Sequence, residues 1–258
     1  MENIDSLFIL EPLIVIGFSV GTVLYWYLKQ GFSRFVLGFS LLAYGGAIAA
    51  KVVFQYVTGP WFLSTFRGVL WLVGFYLGLQ TVIFEVGGAF EVAKLALSRG
   101  MMAESDAVGY GLGLAFWENG VLLGAIALVN VISYYVILSR GGPVAERVYS
   151  SLSTVQPQLF YTPVEALQTI GWGILERFSS LLVHLSWGYL CVKSTTQRRK
   201  QYLILALPMG MVDFLVPFVQ ALTIPVFESV VFLLAAGCVL VSFCATRRDT
   251  KGIRKKKK

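Results

Sequence analysis

Seven side chains that can carry charge, hold a metal or move a proton lie inside long apolar runs of this sequence. Glu91 and Lys94 stand in "FEVAK", Glu118 in "GYGLGLAFWENG", Glu176, Arg177 and His184 in "ILERFSSLLVH", and Asp213 in "MGMVDF". A charged group at the middle of a membrane span costs on the order of 3 kcal/mol, so such residues are expected to face an interior cavity. Glu91 and Lys94 are i, i+3 neighbours on a helix. Arg177 and His184 are seven residues apart and stack on one face at about 10.5 Å of rise, with Glu176 roughly a quarter turn away. That face presents Arg177, Ser180 or Leu181, and His184, and carboxylates from three other segments can converge on it. Two chemistries follow from these residue types. An imidazole and carboxylates can ligate a metal while another carboxylate serves as general base. Alternatively, the same groups form a proton or cation relay of a transporter or channel. Structural ion pairs, Glu91 with Lys94 and Glu176 or Asp213 with Arg177, are the plainer competitor. Lys51 and Glu228 sit nearer the ends of apolar segments and read as snorkelling; Glu85, beside Gly87-Gly88, receives no role.

The elements that position these groups are helices in a membrane. Hydrophobic residues make up 57% of the chain and charged residues 14%, and mean hydropathy is +0.73, outside the range of ordinary soluble domains. A span needs roughly 20 mostly apolar residues. Seven such segments lie near residues 8–28, 35–57, 68–97, 107–138, 168–192, 201–222 and 224–245. The expected fold is all-α: a bundle of about seven transmembrane helices in one domain, residues 1–246, with a basic tail at 247–258. The third and fourth segments exceed the bilayer's need, and Gly87-Gly88 marks a plausible bend. "MENIDSLF" lacks a basic n-region, so the first segment is expected to remain as a span. Residues 141–166 are the longest polar interval and read as a loop with a short interfacial helix.

Orientation follows from the basic residues. Lys29, Arg34, Arg99, Lys193, Arg198, Arg199 and Lys200 fill the odd-numbered loops, which places the N-terminus outside and the C-terminus in the cytoplasm, most economically at the plasma membrane. The tail "RRDTKGIRKKKK" holds eight basic residues and one acid, and its +7 equals the formal charge of the whole chain. A short basic run after a span is a topology signal and an anchor to anionic membrane lipids. Without aromatic or base-reading groups beside it, the tail gives no reason to expect nucleic acid. Cys191, Cys238 and Cys244 show neither C-x-x-C spacing nor the density of a disulfide framework.

Taken in order, these motifs resemble the YhfC-type intramembrane metalloproteases, a branch of the clan that includes the CAAX prenyl-protein proteases. In that family the third span carries E-E-x-x-R, the fourth G-x-G-H-G-x-x-E, the fifth E-R with a histidine two turns on, and the sixth H-x-x-x-D. "FEVAK", "GLGLAFWE", "ERFSSLLVH" and "MGMVDF" supply Glu91 and Lys94, Gly111, Gly113 and Glu118, then Glu176, Arg177 and His184, then Asp213. Phe90 stands at the first glutamate of the family's pair, and Leu114 and Met209 stand where the family has histidines. The resemblance implies a metallopeptidase-like protein, divergent or without hydrolysis, that acts on or binds transmembrane or lipidated polypeptides. It implies Glu91 as general base and zinc held by His184 and Glu118. Arg177 steadies an oxyanion or pairs Glu176. With one imidazole left, the remaining ligands must be carboxylates, which favours a harder metal or a weaker zinc site.

Overall fold

The computed structural model describes residues 3–256, apart from the side chains of 220 and of 248–256. Most of the basic tail therefore lies outside the described side chains. The described residues form eight helices: α1 (Ser6–Gln30), α2 (Phe35–Phe66), α3 (Leu70–Ser98), α4 (Glu104–Arg140), α5 (Gly142–Val155), α6 (Pro163–Thr196), α7 (Lys200–Val219) and α8 (Ile224–Lys256). No strand occurs among them.

Six of these helices, all but α5 and α6, are long and apolar enough to cross a membrane by length and composition. Helix α6 carries Glu165, Glu176, Arg177 and Lys193, so composition alone does not mark it as a span. Its 34 residues rise about 50 Å, enough to cross, and it packs against α1, α3, α4, α7 and α8. It is the central helix of the bundle. In its middle, Arg177 and His184 are covered by neighbouring helices, which makes their charge tolerable. The lipid-facing surface is apolar: Leu28, Val53, Val57, Leu233 and Leu240 are all exposed. Polar groups inside find backbone partners instead, as when Tyr110 donates to the Ala89 carbonyl at 2.8 Å and Trp117 Nε1 to the Leu37 carbonyl at 2.9 Å.

Local sequence explains where the helices begin and cross. Gly31, at φ 62°, closes α1 with its N–H on the Tyr27 carbonyl. Asp106 accepts from the amides of Ala103 and Ser33, at 2.7 and 2.9 Å, and so ties the start of α4 to the α1–α2 turn. Helix α6 starts with Thr162, Pro163 and Glu165: the Thr162 amide and hydroxyl both donate to Glu165 Oε2, at 3.0 and 2.7 Å. The short helix expected within residues 141–166 is α5, which buries Ala145 and Leu152 against Ile4, Phe8, Leu138 and Ile170.

Helices α4 and α6 cross in backbone contact. A Cβ placed on Gly111 would stand 2.5 Å from the Leu185 carbonyl oxygen, and one on Gly188 would stand 2.5 Å from Gly111 Cα. Only glycine on both helices permits this approach. Because the two helices run antiparallel, Glu118, two turns beyond Gly111, comes to lie beside Ser180, Arg177 and His184.

A candidate metal centre

Five of the helices contribute a polar side chain to one cavity of about 330 Å³. Its wall includes Tyr44 and Lys51 from α2, Thr81 and Glu85 from α3, and Glu118 from α4. Glu176, Arg177, Ser180 and His184 come from α6 and Asp213 from α7, while Phe227 and Val231 of α8 close it with apolar surface.

At the centre, Glu85, Glu118 and His184 each offer a ligand atom, and the three atoms lie within 4.8 Å of one another. Both carboxylates sit where their helices widen into i→i+5 turns, over Thr81–Val86 in α3 and Phe116–Ala125 in α4. Such wide turns reorient side chains and are frequent at functional sites. The first of them ends at Gly87, where the sequence suggested a bend.

His184 shows how the group is oriented. Nδ1 lies 3.0 Å from the Ser180 carbonyl oxygen, an acceptor that takes the Nδ1 proton and fixes the ring. Trp187 packs on the ring at a centroid distance of 4.2 Å. Nε2 then faces Glu118 Oε2 at 2.8 Å and Glu85 Oε2 at 3.5 Å. Despite these short distances it is buried without a directed hydrogen bond. With Nε2 unprotonated, a nitrogen lone pair lies close to two carboxylate oxygens, an arrangement that a proton or a metal ion between them makes favourable.

The surroundings hold the carboxylates in place. Glu118 Oε1 accepts from Ser180 Oγ at 3.0 Å and lies 3.4 Å from Arg177 Nη1; Arg177 Nη2 pairs with Glu176. Asn119 donates to the Arg177 carbonyl at 3.0 Å, which binds the wide turn of α4 to α6. Glu85 Oε1 accepts from Lys51 Nζ at 2.5 Å. Lys51 Nζ also reaches Thr81 Oγ1 at 2.9 Å and Asp213 Oδ2 at 3.3 Å, and Thr81 donates to Asp213.

Charge and donor set together fit a divalent cation. With the carboxylates ionised and His184 neutral, Glu85, Glu118, Glu176 and Asp213 face Lys51 and Arg177, an excess of two negative charges in the cavity wall. One imidazole and two carboxylates make up a three-ligand set of the kind that catalytic metal sites use.

Of the residues singled out from sequence, the structure brings Glu118, Glu176, Arg177, His184 and Asp213 to this cavity. It does not bring Glu91 and Lys94. Those two pair with each other at 3.2 Å on the outside of α3, with side chains 64% and 57% exposed. The glutamate that α3 sends inward is Glu85, at 8%. Glu85 and Glu91 are six residues apart, about 120° around the helix, so only one can point into the bundle. The sequence signal for Glu85 is the polar pair Thr81 and Glu85 at i, i+4, followed by two glycines. Lys51 does not snorkel to an interface; its stem extends inward and its ammonium meets three acceptors. Glu228 is likewise buried, with Oε2 unpartnered.

The model of the YhfC intramembrane metalloprotease family matches residues 13–232. No curated protein and no solved structure matches the chain.

Proposed function

Since the chain belongs to the YhfC intramembrane metalloprotease family, we propose that it acts on membrane-embedded polypeptides through a metal held by Glu85, Glu118 and His184. The observation that carries this reading is the buried Nε2 of His184, turned without a directed hydrogen bond toward two carboxylates from other helices. When bound there, a divalent ion such as zinc supplies Lewis acidity and a water that ionises near neutral pH.

The remaining roles belong to the chain's own groups. Ser180 and Arg177 orient Glu118, and the Ser180 carbonyl fixes the His184 ring. Asp213 is the cavity carboxylate closest in role to the general base first assigned to Glu91. Thr81 and Lys51 both bind its Oδ2, so Oδ1 is the atom that takes and returns a proton. Ile48, Leu122, Val183, Phe227 and Val231 give the rest of the cavity an apolar wall. The substrate class is a transmembrane or lipidated polypeptide, which reaches the site within the membrane. The distribution of lysine and arginine supports an outside N-terminus, a cytoplasmic C-terminus and a plasma-membrane location, with anionic lipids as partners of the tail.

Proteoliposomes that contain the native chain and a labelled membrane-spanning peptide test the reading. Metal-loaded native protein is expected to cleave the peptide, and Glu118→Gln to leave it intact. Native protein that carries metal and cleaves none of a panel of such peptides contradicts hydrolysis. An ion flux abolished by Glu118→Gln would replace it with the relay of a transporter.

A further inference from the structure

Lys51 reaches the centre of the bundle from α2, a helix that supplies none of the three ligand atoms. Its side chain is 14% exposed, and its ammonium sits 2.5 Å from Glu85 Oε1, 2.9 Å from Thr81 Oγ1 and 3.3 Å from Asp213 Oδ2. An ammonium has three N–H donors, and here three acceptors from α3 and α7 take them. The group is held by its partners, in contrast to lysines that extend toward water.

The two oxygens of Glu85 are thereby divided. Oε1 belongs to the ammonium, and Oε2 faces His184 Nε2. A carboxylate that gives one oxygen to a fixed cation has one to give to a metal, and the cation's charge opposes any ion bound beside it. Resting on the metal reading above, we propose that Lys51 is a positioning residue that competes with the metal for Glu85. It restricts Glu85 to coordination through Oε2 and sets how tightly the centre holds its ion. Asp213 acts in the opposite sense: it shares Lys51 with Glu85, draws part of the ammonium's charge away, and adds its own negative charge to the cavity.

This arrangement predicts a gain where damage to the fold predicts a loss. Replacing Lys51 by an uncharged residue of similar length leaves three uncompensated carboxylate charges in the wall, and both oxygens of Glu85 become available to a cation. Replacing Asp213 by asparagine leaves Lys51 facing Glu85 alone.

The test is zinc affinity of the detergent-purified full chain at pH 8, by competition with a fluorescent chelator, with a thermal melt of each variant to establish that it is folded. Lys51→Met is expected to bind zinc about tenfold more tightly than the native chain, or tighter still. Lys51→Arg, which keeps the charge, is expected to stay close to native, and Asp213→Asn to bind more weakly. A folded Lys51→Met that binds zinc as the native chain does, or less tightly, overturns the proposal while leaving the metal reading intact. A native chain that takes up no zinc, manganese or other divalent ion overturns the metal reading itself, and this proposal with it.

Discussion

The tripeptide Phe-Glu-Val occurs twice in α3, at 84–86 and at 90–92, and the two copies have opposite fates. Glu85 is buried among Lys51, Thr81, His184 and Asp213. Glu91, six residues on, is exposed and pairs with Lys94 along its own helix. Residue type and immediate neighbours are the same, so neither decides which glutamate belongs to the site. What differs is the helix face, and the wide turn over Thr81–Val86 that aims the first copy inward. The inner carboxylate makes its ionic contacts with two other helices, through Lys51 and His184, whereas the outer one makes its salt bridge one turn away. Only the inner kind of contact can assemble a centre from distant parts of the chain.

The largest expected effect comes from emptying the inner copy. Glu85→Gln, like His184→Ala, is expected to lower metal affinity by more than about a hundredfold, beyond the usual loss from an outer-shell partner. Metal titration of the purified variants checks this, and native-like affinity in Glu85→Gln would erase the distinction between the two copies. Next comes the support behind the opposing ligand. Ser180→Ala removes the uncharged hydroxyl that donates to Glu118 Oε1 and is expected to cost about tenfold in affinity, read in the same titration. Gly111→Val acts on geometry alone, since its side chain meets the α6 backbone. It is expected to destabilise the bundle by about 1–3 kcal/mol, measured as the shift in reversible unfolding in detergent. Smallest is the outer copy: Glu91→Gln is expected to change stability by no more than about 0.5 kcal/mol, as for an exposed ion pair, and to leave metal binding unaltered.

The same contrast marks how far the sequence could be read. Apolar length alone located the six helices long and apolar enough to cross, because a bilayer imposes one scale on every crossing segment. Helix α6 was legible for a different reason: its Glu176, Arg177 and His184 are so costly in lipid that they identify the interior face. Glu118 and Asp213 were legible likewise, as solitary acids in apolar runs. For α3 the family resemblance pointed to Glu91, and Glu85 received no role, because the helix is apolar around most of its circumference and the short polar pair of Thr81 and Glu85 was the one mark of its inner face. Residue spacing assumes regular α geometry, and the wide turns of α3 and α4 shift the register just where the ligands lie. Lys51 was hidden by the length of its own side chain. A flexible four-carbon stem can extend toward the interface or inward, and only the acceptors on α3 and α7 decide which.

The most direct test of the account is elemental analysis of the purified native chain beside Glu85→Gln and Glu91→Gln. The account predicts a stoichiometric divalent metal in the native protein and in Glu91→Gln, and its loss from Glu85→Gln. Metal retained in Glu85→Gln and lost from Glu91→Gln would contradict it.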